Sequence, residues 1–223
     1  TTVKTLYRSG IWNIMWSALT LSALSGILLT LGFPKFNLSF VAWVALLPLF
    51  VALQGKSRRQ ALIIGFTCGL VHYLTALYWI RYVVYYYGGL PLGIAVLILL
   101  LLCCYLAIYP AVFALAAQRL QPRPWLWVSG LPVIWVTLEW IRAHLLTGFP
   151  WANLGYTQTP FNQLIQVADV TGVYGLSWLI VLVNVGIMAF FRWRLRLSLG
   201  IVLVCLASTL FYGVWRVDDI EAL

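Results

Sequence analysis

Long apolar runs alternate with short polar segments along the whole chain. Runs of about 18 or more apolar residues with few charges are typical of membrane-spanning helices, because such a helix crosses the hydrocarbon core. The pattern predicts an all-α integral membrane protein with about seven transmembrane helices. The predicted spans are residues 11–32, 38–54, 60–80, 91–117, 125–146, 173–191 and 197–215.

Two of the predicted spans contain a proline. The span 38–54 is short for a membrane crossing and contains Pro48, and the long span 91–117 contains Pro110. Proline removes a backbone hydrogen bond and clashes with the preceding turn, so a helix that contains it bends or tilts. We therefore expect a kink or a strong tilt in both spans.

The basic residues between the spans predict the orientation of the chain. Cytoplasmic segments of membrane proteins carry an excess of Lys and Arg. One side of the predicted topology holds ten positive charges: Lys4, Arg8, Lys56, Arg58, Arg59, Arg119, Arg123, Arg192, Arg194 and Arg196. The other side holds four: Lys35, Arg81, Arg142 and Arg216. The N-terminus is therefore expected to be cytoplasmic and the C-terminus extracytoplasmic.

Composition supports a membrane protein and excludes several other classes. The chain is 63% hydrophobic and 9% charged, whereas soluble domains carry about 25% charged residues. The net charge of +9 does not indicate a nucleic-acid partner, because the cations form short clusters between apolar runs. All four cysteines lie inside apolar runs, and no His-rich metal motif is present. We expect buried thiols, and neither a metal nor a cofactor.

The segment HLLTGFPWANLGYTQTPFNQ, residues 144–163, is the most polar and irregular part of the chain. Gly148 and Pro150 are expected to end the preceding helix. After them, Phe161, Leu164, Ile165 and Ala168 recur at helical spacing, which predicts a short amphipathic helix in the membrane interface. Residues 147–172 are therefore predicted to form an outer interfacial loop with a short helix. Irregular backbone at this depth is tolerated where it lines a cavity, so we expect the loop to cover a cleft.

Several side chains near this loop have two possible interpretations. Glu139 and Arg142 are three residues apart and share a helix face, so they can pair. The pair either holds the helix end or has a function, which is to position the outer loop or to bind a polar lipid group. Trp151 and Tyr156 are either interfacial anchors or part of the cleft. The segment 82–89, YVVYYYGG, is either an aromatic belt or a second wall of a lipid-facing cleft. Asn184 is expected to bond a neighbouring helix.

The stretch TLEWIRAHLLTGFPWANLGYTQ, with DVTGVYGLSWLIVLVN after it, resembles the apolipoprotein N-acyltransferases, which are bacterial inner-membrane enzymes. Earlier segments agree: LGFPKFNLSFVAWVALLPLF resembles the family's first turn and second span, and LYWIRYVVYYYGGLP its third-span exit. The resemblance implies transfer of an acyl chain from a phospholipid to the N-terminal cysteine amine of a lipoprotein. A Glu-Lys-Cys triad of nitrilase type performs this transfer through a thioester on the enzyme's cysteine.

The resemblance implies that the triad lies outside this chain. In the family, the nitrilase-like domain follows the seventh span, and this sequence ends at Leu223. Residues 1–216 are expected to form the transmembrane domain, and residues 217–223 to begin a linker to the extracytoplasmic domain. The fragment alone is expected to be inactive. By resemblance, seven residues form the lipid cleft or its coupling to the catalytic domain: Glu139, Arg142, Gly148, Phe149, Pro150, Trp151 and Tyr156.

Two other functions remain open from the sequence. A non-catalytic homologue would serve as a lipid-binding or structural subunit of a larger complex, or as the membrane anchor of another enzyme. A transporter has little support, because no span carries paired intramembrane charges or broken-helix symmetry.

A reporter fused after Arg216 tests the predicted orientation. It is expected to be extracytoplasmic, since ten cations against four place the N-terminus in the cytoplasm. Alkaline phosphatase and green fluorescent protein fusions, which are active on opposite sides of the membrane, measure this. A cytoplasmic reporter at that position would contradict the predicted topology.

Overall fold

The structure is a computed structural model and describes residues 2–222, with the side chains of residues 15–220 and 222. The described chain is helical and contains no strand. Two short 3₁₀ turns, Ser39–Trp43 and Leu154–Gln158, and a third at Leu145–Thr147 lie between the α-helices. The helices are α1 (Thr2–Leu31), α2 (Leu47–Ala52), α3 (Arg58–Ala76), α4 (Ile80–Tyr86), α5 (Leu92–Leu120), α6 (Pro124–His144), α7 (Asn162–Ile165), α8 (Ala168–Trp193) and α9 (Arg196–Glu221).

Among the described residues, three helices are long and apolar enough to cross a membrane. They are α5, α8 and residues 196–220 of α9, and they correspond to the fourth, sixth and seventh predicted spans. Helices α3 and α4 together meet the same criterion but are bent by 50°, which makes them a broken span or a re-entrant loop. The all-α membrane class is thus supported, with three spans or up to four by length and composition.

The predicted second span, residues 38–54, is not a continuous helix. A 3₁₀ turn gives way to helix α2, which has only six residues. The Asn184 side chain on α8 holds the break: its Oδ1 accepts from the Leu46 N–H at 2.9 Å, and its Nδ2 donates to the Ala42 carbonyl at 3.0 Å. A buried amide that satisfies both groups replaces the bonds a continuous helix would make. The expectation that Asn184 bonds a neighbouring element is confirmed.

The chain forms two compact units, and the first comprises residues 1–27 and 48–118. In this unit, glycines bring helices α3 and α5 close together. A methyl group at Gly65 would lie 2.5 Å from the Pro110 carbonyl oxygen, and one at Gly69 would lie 2.9 Å from the Ala107 Cα. This is the small-residue packing at a four-residue interval that joins helices in membranes. Helix α5 continues through Pro110, whose ring is part of this contact.

The second unit comprises residues 28–47 and 119–223, and α8 is its core. Most α8 residues from Leu176 to Ala189 are buried, and α6 and α9 pack against them. Gly186 allows close approach of α9, where the Ser198 hydroxyl donates to the Gly186 carbonyl at 3.0 Å. Helix α9 continues to Glu221, so the residues predicted to begin a linker at 217 extend this helix.

The variant Gly65→Ala is expected to lower the unfolding free energy by about 1–3 kcal/mol, because the added methyl group meets backbone at 2.5 Å. Gly93→Ala is the matched control, since no atom lies within 4 Å of the added group and alanine favours helix. Thermal unfolding in detergent measures both variants. Equal melting temperatures for Gly65→Ala and the wild type would contradict the close α3–α5 packing.

Candidate functional site

Helix α6 ends two residues before its predicted end, and the loop that follows requires glycine. Gly148 has a φ of 81°, and a Cβ there would lie 2.1 Å from the Ala143 carbonyl oxygen. Any other side chain would therefore collide with the end of α6. This agrees with the prediction that Gly148 belongs to the segment that ends the helix.

The loop also holds three non-glycine residues in the left-handed region. Leu146, Thr147 and Ala152 have φ values of 52°, 72° and 61°. Such conformations cost on the order of 1 kcal/mol each and persist where surrounding contacts hold them. The loop around Pro150 and Trp151 is therefore a strained segment that needs fixed attachment points.

Glu139 is the first attachment point. It is 4% exposed, and its Oε1 accepts from the Leu154 backbone N–H at 2.7 Å and from the Trp135 Nε1–H at 2.9 Å. The bond to Leu154 joins α6 to the loop fifteen residues later. The carboxylate thus holds backbone in place.

Arg142 is the second attachment point. It is 3% exposed, and its NH2 group donates to Asn153 Oδ1 at 2.6 Å. Its carbonyl accepts from the Phe149 N–H at 2.8 Å. Of the two interpretations left open by the sequence, the positioning of the outer loop is the one that these contacts support.

Polar side chains fix the second half of the loop as well. The Gly155 N–H donates to Ser177 Oγ at 2.8 Å, and a Cβ at Gly155 would lie 2.4 Å from the Val173 carbonyl oxygen of α8. The Gln158 side chain donates to the Ser39 carbonyl at 3.1 Å and accepts from Trp43 Nε1 at 3.1 Å. Buried polar side chains therefore hold residues 153–158 to the helices around them.

An exposed apolar groove lies on this scaffold. Its volume is about 420 Å³. Trp151 is 60% exposed, and the Phe149 ring lies against it with centroids 5.5 Å apart. The groove is lined by Phe33, Pro34, Pro150, Trp151, Ala152, Tyr156 and Thr159.

The seven predicted site residues thus form two layers. Glu139 and Arg142 are the buried supports, Gly148 makes the turn possible, and Phe149 supports Trp151 from the side. Pro150, Trp151 and Tyr156 line the groove.

The sequence did not indicate a role for five further residues of the site: Asn153, Ser177, Gln158, Phe33 and Pro34. Each lies within the quoted stretches, but nothing in their spacing indicates which buried atom they contact.

The predicted amphipathic helix is only partly present. Helix α7 covers four residues, and α8 begins at Ala168 with a break at Gly172, whose φ is 62°. Asp169 lies before this break and accepts from the Tyr212 hydroxyl at 2.8 Å and from Arg216 Nε at 3.2 Å. Side-chain contacts with α9 therefore hold this segment in place. The helical spacing of its apolar residues does not by itself determine its conformation.

The chemical groups at the site are few. Glu139 Oε1 bonds a backbone and an indole donor, and the buried Oε2 has no hydrogen-bond partner in the part of the chain that the structure describes. Among the described residues, no three His, Cys, Asp or Glu side chains cluster as a metal site. The four cysteines are free and lie in helices α3, α5 and α9. The groove is apolar with an aromatic rim, and hydrogen bonds from buried polar side chains hold the loop beneath it.

Comparison with known proteins decides the family. The family model described as apolipoprotein N-acyltransferase N-terminal domain matches residues 25–186, more than half of the chain. The chain belongs to the apolipoprotein N-acyltransferase family. This confirms the resemblance seen in the GFPW stretch, and the matched region contains every predicted site residue and every residue that lines the groove.

Three relatives illustrate the similarity. The apolipoprotein N-acyltransferase of Geobacter metallireducens is 44% identical over 205 residues, which are 88% of this chain and 39% of the relative. That of Vibrio vulnificus is 33% identical over 199 residues, 88% of this chain and 39% of the relative. That of Chromobacterium violaceum is 33% identical over 201 residues, which are 90% of this chain and 38% of the relative. The chain therefore spans about two fifths of the length of these curated relatives.

The variant Glu139→Ala is expected to loosen the loop, because it leaves the Leu154 N–H and the Trp135 indole without their acceptor. Leaving a buried donor unsatisfied costs about 1–3 kcal/mol. Hydrogen–deuterium exchange should rise in residues 146–158. Thr137→Ala is the matched control on α6, since its exposed hydroxyl bonds only within its own helix, to Val133. Unchanged exchange in Glu139→Ala would contradict the anchoring role.

Proposed function

We propose that this chain is the membrane portion of an apolipoprotein N-acyltransferase. In this proposal the complete protein moves an acyl chain from a phospholipid to the α-amino group of the N-terminal cysteine of a lipoprotein. The family membership and the apolar, membrane-type helices support it. The proposed location is the bacterial inner membrane, with the N-terminus in the cytoplasm and seven membrane passes.

The reaction proceeds in two acyl transfers. A cysteine thiolate attacks the ester carbonyl of the phospholipid, a thioester forms, and the lysophospholipid leaves as the alcohol. The lipoprotein amine then attacks the thioester, an amide forms, and the cysteine thiol is released. The Glu-Lys-Cys triad would supply the base, the stabilisation of the oxyanion and the nucleophile. In this proposal the triad lies in a nitrilase-like domain of the complete protein, outside residues 1–223.

The groove that Trp151 lines is the observation that carries the proposal. An acyl chain has no polar atoms along its length, so an apolar groove with an aromatic wall is the surface that fits it. Glu139 and Arg142 hold the loop in one conformation, so the groove needs little ordering when the lipid arrives. The seven predicted site residues would form the membrane side of the acyl path, and the triad would form the other.

The variant Trp151→Ala, made in the complete protein, is expected to lower acyl transfer by about tenfold, because it removes the largest exposed wall of the groove. Transfer from phosphatidylethanolamine to a diacylated lipopeptide measures the effect. Arg142→Ala is expected to lower transfer as well, through the loop.

Trp125→Ala is the matched control, because Trp125 is 48% exposed near the opposite end of α6. It should leave transfer unchanged. Membrane insertion of each variant is verified by the amount of protein in the membrane fraction. Normal transfer in both Trp151→Ala and Arg142→Ala would refute the assignment of this groove to the acyl path.

A further inference from the structure

Arg81 lies at the bend between α3 and α4, in a part of the chain without negative charge. No Asp or Glu occurs before Glu139, so the first unit, residues 1–27 and 48–118, contains no carboxylate at all. The Arg81 guanidinium has no hydrogen bond or ion pair with any residue whose side chain the structure describes. Its charge therefore has no partner of opposite sign within its own unit.

Arg81 lines a groove of about 480 Å³. Trp79, Tyr82 and Tyr85 are further lining residues, and all three are exposed. Arg81 and Tyr85 are four residues apart on helix α4, so the guanidinium and the phenol hydroxyl project from the same face. Both groups are hydrogen-bond donors, and an arginine offers two parallel N–H groups that match the oxygens of a phosphate.

The groove borders the start of α5. Leu92, the first residue of α5, lines it, and the exposed residues that follow on this helix, such as Leu97 and Leu101, are aliphatic. Helix α5 is long and apolar enough to span the membrane. A ligand in the groove therefore meets one cation among aromatic and aliphatic side chains, at the start of a helix whose exposed surface is apolar.

The length of helix α3 is compatible with a headgroup contact at Arg81. Helix α3 begins at Arg58 and Arg59 and has 19 residues, which is roughly 28 Å at 1.5 Å per residue. This is close to the thickness of the hydrocarbon core. Arg59 lies in the first turn of α3, and Arg81 lies on α4, five residues beyond the last residue of α3. The tyrosines near Arg81 are of the type found at the lipid–water interface.

We infer that Arg81, Tyr82 and Tyr85 form a binding site for the phosphate of a membrane phospholipid, with the acyl chains of that lipid along the start of α5. The ligand carries the negative charge that this unit lacks, and its chains match the apolar surface next to the cation. Segment 82–89 is then a wall of a lipid-binding groove, the second of the two interpretations that its sequence allowed. The site uses no residue of the GFPW loop, and lipid binding at it does not depend on acyl transfer.

Photo-crosslinking tests the site in the full chain, purified in detergent. The probe is a phosphatidylglycerol with a diazirine in its headgroup, and peptide mapping locates the label. Labelling is expected within residues 78–92. Unlabelled phosphatidylglycerol should displace the probe, whereas a diacylglycerol with the same acyl chains should not, since it lacks the phosphate.

The variant Arg81→Gln is expected to lower this labelling by about tenfold, the size expected for losing hydrogen bonds to a charged group. Arg81→Lys should retain an intermediate level, because it keeps the charge but not the paired donors. Arg59→Gln is the matched control: Arg59 is exposed, belongs to the same unit and lies at the other end of α3. It should leave labelling within residues 78–92 unchanged.

Three results would overturn the proposal. Equal loss of labelling in Arg59→Gln and Arg81→Gln would mean general attraction of an anionic lipid to a cationic protein. Displacement of the probe by diacylglycerol would mean apolar adsorption without phosphate recognition. A label that maps outside residues 78–92 would place the lipid elsewhere. The competition is performed on the wild type, so the proposal stays testable if a variant fails to fold.

Discussion

The hydrogen bond from the Leu154 N–H to the buried Glu139 carboxylate is the constraint on which the site depends. It joins helix α6 to the loop across fifteen residues, and Arg142 adds a second connection through Asn153. A carboxylate in a buried position is costly unless donors surround it. Here the Leu154 N–H and the Trp135 indole bond Oε1, while the buried Oε2 has no hydrogen-bond partner among the described residues. The Oε1 contacts determine where the loop lies.

The consequence is a strained loop with a defined surface. Residues 146–148 and Ala152 have left-handed backbone conformations, which a free segment would not keep. The polar contacts of Glu139, Arg142 and Gln158 hold them, and the outward side of the same loop presents Pro150, Trp151 and Tyr156. The buried side of the loop is therefore polar and its exposed side is apolar, which is the reverse of a soluble protein and suits a surface that faces lipid.

In the first unit, small residues rather than buried polar side chains bring the elements together. Its helices approach closely through Gly65 and Gly69, and it contains no carboxylate that would pair with Arg81. The aromatic side chains of the α3–α4 bend, Trp79, Tyr82 and Tyr85, are exposed, and Arg81 lies among them. Close packing at small residues thus joins the helices of this unit, whereas hydrogen bonds from buried polar side chains hold the loop of the second unit.

The sequence by itself determined the all-α membrane class, the three spans that correspond to α5, α8 and α9, and the place of the irregular segment that contains the GFPW motif. Long apolar runs and a Gly-Phe-Pro turn are local signals, and helix periodicity put Glu139 and Arg142 on one face. The family also followed from local motifs.

Only the tertiary structure decided what these residues contact. The break in span 38–54 depends on Asn184, more than 130 residues away. The groove needs Phe33 and Pro34 beside Trp151, and the role of Glu139 depends on a backbone N–H in the loop. Such contacts join distant parts of the chain, and neither spacing nor hydropathy encodes which backbone group a buried side chain meets.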